Sequence, residues 1–250
     1  MTQSLYLYGR NPLQEVIKAA KAGKPALIEA IYLTPQAEAD GKLIGLLQKH
    51  NLEYKRVTMH EVDSMVGRDV SHQGVCVLLN EREIYTSLPE VLQKAQNGLG
   101  NPLFVLLDEL QDPHNVGAII RSAVAFGATA ILMPEYDQVQ VTSTVIKTSA
   151  GTVFAIPIVR IGNINTTLTN LKDKGFWTYG LTGKGDTNLR TATFDTPTVI
   201  VIGSEGEGIR AKTLEACDFK LSIDIDPKCE SLNASNAVAV ALYEWRSQNA

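Results

Sequence analysis

The chain has 250 residues, 44% of them hydrophobic and 20% charged, enough for one large or two small globular domains. No run approaches the roughly 18 apolar residues of a membrane span, and Met1 to Arg10 lacks the basic start and apolar core of a signal peptide, so a cytoplasmic protein without membrane contact is expected. A net charge of −4 argues against a uniformly basic nucleic-acid binder and leaves any RNA contact to local patches. Lys18, Lys21, Lys24, Lys55, Arg56 and Arg68 are candidates, unless they form only a solvated surface.

From Tyr6 to about Asn80 the pattern alternates helix and strand: amphipathic Asn11 to Ala22, apolar Leu27 to Leu33, helical Glu38 to Lys49, then strands Leu52 to Val57 and Val75 to Leu79. Residues 1–80 therefore read as a small α/β domain. The polar text of 81–101 ends in Asn97-Gly98-Leu99-Gly100-Asn101-Pro102, turn residues that predict a linker. Residues 102–250 carry near-continuous apolar strands over Leu103 to Leu107, Ala128 to Met133, Val153 to Val159, Phe176 to Leu181, Thr198 to Ile202 and Phe219 to Ile225. Unbroken runs suit a parallel sheet covered by helices on both faces, where ligands gather at the carboxyl ends of strands. A final helix, Ser231 to Arg246, carries an apolar surface that serves either core packing or a dimer interface.

Cys76, Cys217 and Cys229 are scattered without C-x-x-C spacing, and His50, His60, His72 and His114 lack ligand spacing, so no metal is expected. Cys76 reads as a buried strand residue. Three strand-to-helix segments stand out instead. In Leu107 to Ser122, Pro113 suits an early helical position and Asp112 or Asn115 suits a cap. Gly117 implies a close backbone approach, because glycine inside a helix costs roughly 1 kcal/mol relative to alanine. Arg121, among apolar neighbours, either snorkels outward or meets an anion such as phosphate. In Val199 to Ile209, the glycine spacing G-x-x-G-x-G is neither that of dinucleotide binders nor a P-loop. Glu205 and Glu207 would repel a pyrophosphate, so a neutral nucleoside or a sulfonium fits better. In Leu221 to Ala237, Ser231, Asn233 and Ser235 crowd a helix start, with Asn233 expected in the first turn.

Together these segments resemble the SpoU/TrmH family of the SPOUT superfamily of RNA methyltransferases. The resemblance rests on Asn115-x-Gly117-x-x-x-Arg121, Gly203-Ser204-Glu205-Gly206-x-Gly208 and Ser231-Leu232-Asn233-x-Ser235 leading into Leu242-Tyr243-Glu244, with Lys147 to Gly151 between them. Tyr8 to Asn11 and Ser71 to Val75 are similar to the substrate-binding domain of the family, whose fold is like ribosomal protein L30e. The resemblance implies a deep trefoil knot in the C-terminal domain, an exception to the avoidance of knots, and a homodimer through that domain. It also implies S-adenosyl-L-methionine held around Leu181, Gly203, Ile223 and Leu232, and a structured RNA substrate. The nearest members methylate a guanosine ribose of 23S ribosomal RNA. One departure is Ile223-Asp224-Ile225-Asp226-Pro227 where the family commonly has I-P-M-x-G, which puts a backbone hydrogen bond at Pro227 in doubt.

Carried over to this chain, the catalytic group is Arg121, Asn115, Glu205, Ser231 and Asn233. Arg121 serves as base or as electrostatic stabiliser, and a guanidinium that stays protonated favours the second. Asn115 and Glu205 are expected to orient Arg121 or the ribose, and Ser231 and Asn233 to fix loop and substrate. Arg10, Asn11, His72 and Gln73 are expected RNA contacts, although Asn11 equally suits a helix cap and His72 a turn. A transfer-RNA methyltransferase of the same family and a non-catalytic RNA-binding scaffold in ribosome assembly are the alternatives. A nicotinamide-dependent dehydrogenase has the wrong glycine spacing.

Overall fold

The computed structural model describes residues 5–98 and 100–250, so residues 1–4 of the expected N-terminal domain and Leu99 of the expected linker lie outside the described residues. The chain divides into two compact units, Met1–Ile84 and Tyr85–Ala250.

The first unit runs β1 (Leu5–Tyr8), α1 (Arg10–Lys21), β2 (Ile28–Leu33), α2 (Pro35–Glu38), α3 (Gly41–Lys49), β3 (Lys55–Arg56), α4 (Met59–Val66) and β4 (Val75–Leu79). Its sheet has the order β1-β4-β2-β3, with β4 antiparallel to both neighbours. Helix α1 buries Leu13, Val16 and Ile17, one stripe at helical spacing. The single helix expected over Glu38 to Lys49 is two, because the Asp40 carboxylate accepts the N–H groups of Lys42 and Leu43 and starts α3 afresh. The strand expected over Leu52 to Val57 shrinks to Lys55–Arg56, both exposed. Cys76 is buried in β4.

The second unit comprises β5 (Tyr85–Thr86), α5 (Leu88–Gln96), β6 (Leu103–Asp108), α6 (Pro113–Ala125), β7 (Ala130–Pro134), α7 (Ser143–Thr148), β8 (Ile158–Ile161), α8 (Ile164–Lys172), β9 (Trp177–Leu181), β10 (Thr187–Asn188), β11 (Thr198–Gly203), α9 (Ala211–Ala216), β12 (Phe219–Ser222) and α10 (Ala234–Gln248). The eight strands lie in the order β10-β12-β9-β11-β6-β7-β8-β5, every neighbouring pair parallel. Every residue of β6, β7 and β11 is buried, which explains their unbroken apolar text. Phe104, Leu106, Val199 and Val201 pack with Leu168 and Leu171 of α8 in one cluster. Alternate strand residues point to the opposite face, where α6, α7 and α10 pack on one another. This arrangement fits the knotted SPOUT fold expected for this part of the chain.

Three expectations change. The stretch 81–101 is no linker: β5 pairs with β8, and Val91 and Leu92 of α5 enter the main core. A helix with only two buried residues reads as polar. The strand expected from Val153 begins only at Ile158, since Thr152–Phe154 form a 3₁₀ turn and Pro157 offers no N–H to a ladder. The strand expected over Phe219 to Ile225 ends at Ser222, freeing Ile223 and Ile225 for the site described next. Among the described residues, no helix is long and apolar enough to cross a membrane.

Candidate active site

The site is assembled where β6 and β11, paired side by side from Thr198 and Leu103 to Gly203 and Asp108, come to their carboxyl ends. After β6 the chain turns into α6, whose cap is Asp112, its carboxylate accepting the His114 N–H at 2.9 Å. Pro113 takes the first helical position, where a missing N–H is harmless. Asn115 lies one turn in and is buried. After β11 the chain folds back tightly, Ser204 and Gly208 exchanging backbone hydrogen bonds of 3.1 and 3.0 Å. A Cβ at Gly203 would overlap the Gly208 carbonyl, so only glycine allows this return. Glu205 rides at the tip.

Asn233 completes the group and is the N-cap of α10, not a residue of its first turn as the sequence suggested. Its Oδ1 accepts the N–H of Ser235 at 2.9 Å, the Ser235 hydroxyl at 2.6 Å and the Asn236 N–H at 3.4 Å. That commitment turns Nδ2 outward, where it donates to Asn115 Oδ1 at 3.0 Å and to Glu205 Oε1. Asn115 Nδ2 donates to the same Glu205 oxygen at 2.8 Å. Residues from all three motifs therefore share one hydrogen-bonded cluster.

Beside the cluster lies a cavity of about 610 Å³, within the size range of small-molecule sites. Leu181, Gly203, Ile223 and Leu232 all line it, as do Glu205 and Ser231. The departing segment closes one side: Asp224 accepts from Asn188 Nδ2 at 2.6 Å, and the Cys229 N–H reaches the Asp226 carbonyl at 2.9 Å. Pro227 is the second residue of that turn, where proline is favoured and its N–H is not needed. Arg121 is exposed on α6 and makes no hydrogen bond or ion pair with the described residues. The expectation that Asn115 and Glu205 orient Arg121 is thus corrected: they hold each other and Asn233, and the Arg121 charge snorkels outward.

Two groups escaped the sequence reading. Asp108, 1% exposed, accepts the Arg210 backbone N–H at 3.0 Å and the Arg210 Nε–H at 2.8 Å, while Glu109, at φ 58, takes the same guanidinium from the other side. This clamp fixes the exit of the Glu205 loop to the strand beside it. An acidic residue ending a wholly apolar strand was the available signal. Burial pushes the Cys76 and Cys217 thiols up to about 12, which leaves neither as a nucleophile. Among the described residues, no group of three His, Cys, Asp or Glu is placed to hold a metal ion.

In the first unit, Arg10, His72 and Gln73 line a second cavity of about 390 Å³. Asn11 does not join them: it is exposed on α1, whose cap is Gly9. His72 is no simple turn residue either, being buried with Nε2 3.0 Å from Asp63 and Nδ1 accepting the Gly74 N–H at 3.1 Å.

Residues 102–243 match the SpoU rRNA methylase family, and residues 6–85 match the RNA 2′-O ribose methyltransferase substrate-binding domain. A Xanthomonas campestris chain named 23S rRNA (guanosine-2′-O-)-methyltransferase RlmB is 35% identical over 97% of this chain and 96% of its own. YacO of Bacillus subtilis, which carries the name of a TrmH family tRNA/rRNA methyltransferase, is 34% identical over 98% and 96%. Among solved structures, the SpoU methyltransferase AviRb of Streptomyces viridochromogenes with AdoMet superposes with a TM-score of 0.78, covering 98% of this chain and 90% of that one at 22% identity. An AdoMet-bound rRNA methyltransferase of Sinorhizobium meliloti gives 0.75 over 98% and 88% at 24% identity. Family matches to both units, and relatives a third identical along nearly the whole length, make this chain a member of the SpoU family of RNA methyltransferases.

Proposed function

We propose that the chain methylates the ribose 2′-hydroxyl of a guanosine in 23S ribosomal RNA, using S-adenosyl-L-methionine. The observation that carries this reading is the convergence of Asn115, Glu205 and Asn233 beside the cavity lined by Leu181, Gly203, Ile223 and Leu232. The cavity suits the cofactor: Leu181, Ile223 and Leu232 offer apolar contact to an adenine, and Glu205, Glu207 and Glu230 favour a cation. Bound there, the cofactor supplies an electrophilic methyl group. The remaining work falls to the chain: Asn115, Glu205 and Asn233 orient the ribose, Ser231 fixes the loop, and Arg121 stabilises negative charge on the 2′-oxygen and the neighbouring phosphate.

RNA is chosen over DNA because the nucleophile is the 2′-hydroxyl itself. Arg10, Asn11, His72 and Gln73 hold the substrate on the first unit. The dimer contact falls on α10, where Val240 and Tyr243 are 44% and 64% exposed, and Tyr243 meets Phe126 edge-on. Purified protein incubated with methyl-labelled cofactor and either ribosomal or transfer RNA from a strain lacking the gene tests the reading. Label on one 23S guanosine ribose is expected. Label confined to transfer RNA, or on a base atom, would replace the substrate assignment.

A further inference from the structure

We propose that the cavity of the first unit is a pocket for one unpaired RNA nucleobase, read at its hydrogen-bonding edge by the Gln73 side chain. The proposal rests on the RNA-methyltransferase reading for its substrate class, and on the pocket itself for everything else. Its wall contains Arg10, Gln36, Met59, Val70, Ser71 and Gln73, with no carboxylate among its lining residues.

The loop that builds the pocket is held in an unfavourable shape. Gln73 has φ 53, uncommon for a residue with a side chain, and Gly74 follows at φ 71. The shape is over-determined by its neighbours. A Cβ on Gly74 would overlap Thr34 Oγ1, and the His72 ring is pinned between Asp63 and the Gly74 N–H. Because Nδ1 accepts that N–H, Nε2 carries the proton facing Asp63, so both ring nitrogens are engaged inside the protein. His72 is therefore a positioning residue, and the exposed neighbour Gln73 is what the loop presents. Strain of this kind, held by surrounding structure, gathers at sites that meet ligands.

The chemistry of the wall selects the ligand. The amides of Gln73 and Gln36 are exposed and bonded to no described residue, and each offers donors and an acceptor together, as a base edge requires. Met59 is 41% exposed and supplies a thioether surface, which makes favourable contact with aromatic rings. Arg10 is paired with Asp40, yet its buried Nε has no partner, an orphaned donor at the pocket wall. A guanidinium plane is also a stacking surface for unstacked bases, the form in which RNA sequence is read. One cation in the wall is too few for a purely phosphate-binding patch.

The test uses the full-length, isotope-labelled protein with excess S-adenosylhomocysteine, which keeps nucleotides out of the larger cavity. Each of the four ribonucleoside 5′-monophosphates is titrated while backbone and glutamine amide resonances are followed. Saturable shifts confined to Arg10, Gln36 and Ser71 to Gly74 are expected, unequal among the four bases. Gln73→Ala should weaken the preferred nucleotide about tenfold and raise KM for RNA by a similar factor, with cofactor affinity and melting temperature unchanged. Gln73→Glu should change the order of base preference. Absence of saturable shifts with all four nucleotides, or an unchanged KM in Gln73→Ala, overturns the pocket. Methylation by the unmodified protein, measured alongside, separates the two readings: normal transfer with an indifferent Gln73 removes the pocket alone, whereas nucleotide binding without any transfer removes the enzyme assignment alone.

Discussion

Asn233 donates its side-chain amide to Asn115 at 3.0 Å across 118 residues of chain, while its other amide atom caps α10. One side chain thus fixes a helix start and the geometry of the site together. Asn233→Ala should lower stability by about 0.5–2 kcal/mol as a lost cap and also reduce kcat. Asn233→Asp should restore the cap but not transfer, since it has no N–H to offer Asn115 or Glu205. Melting curves and single-turnover rates for the two variants separate the effects, and equal rates in both variants and the parent would sever the cluster from catalysis.

Arg121 stands free on α6, so its removal should leave the fold alone. Arg121→Ala is expected to lose roughly a hundred- to a thousand-fold in kcat, as when one electrostatic stabiliser is deleted. Calorimetry should show unchanged cofactor affinity. Near-normal turnover would move charge stabilisation elsewhere.

Arg210 acts through the loop rather than on a reactant. Arg210→Ala strips the guanidinium from the buried Asp108 carboxylate, which keeps only the backbone N–H. A cost of about 1–3 kcal/mol is expected for the exposed deficit. Weaker cofactor binding should accompany it, because Gly203 to Gly208 loses its anchor at one end. Intact affinity with lowered stability would reduce the clamp to a purely structural role.

Gly117 faces α7 so closely that a Cβ would lie 2.6 Å from Thr148 Cβ and 3.0 Å from the Val145 carbonyl. Alanine normally stabilises a helix interior by about 1 kcal/mol relative to glycine. Here the sign should reverse, Gly117→Ala costing about 1–3 kcal/mol as α6 and α7 are forced apart. A raised melting temperature would contradict the close packing.

Asp218 links β9 to α8, accepting from the Thr178 N–H and hydroxyl at 2.9 and 2.7 Å and pairing with Lys172 at 2.8 Å. Burial pushes its carboxyl upward, but the Lys172 and Thr178 hydrogen bonds outweigh burial and hold it below the usual carboxylate range. A carboxyl depressed on folding adds stability that is fully present above its unfolded value, about 3.9, and is lost as pH falls through the folded value. The melting-temperature gap between parent and Asp218→Asn should therefore be widest near neutrality and close in acid. A gap independent of pH would assign the loss to packing.

What could be read from the chain differed by kind of signal. Strands buried on both faces announce themselves as apolar runs, so β6, β7 and β11 were legible. The same rule misread Val153 and Phe154, which are buried in a turn and not in a ladder. Helix α5 was hidden because Val91 and Leu92 alone, among prolines, amides and charges, carry its contact with the core. At the site, Asn115, Glu205 and Asn233 each stood out as residues ill-suited to their local surroundings. Their mutual bonds, and the independence of Arg121 from them, depend on chain crossings that no local pattern encodes.

The sheet order sets a tempo as well as a shape. Strands β6 and β11 touch along their whole length although much of the domain is threaded between them, and loop-closure entropy must be lost before such pairs reward it. Refolding should therefore be slow, with competence for transfer arriving well after collapse, and every minute in that interval leaves apolar strand edges open to aggregation.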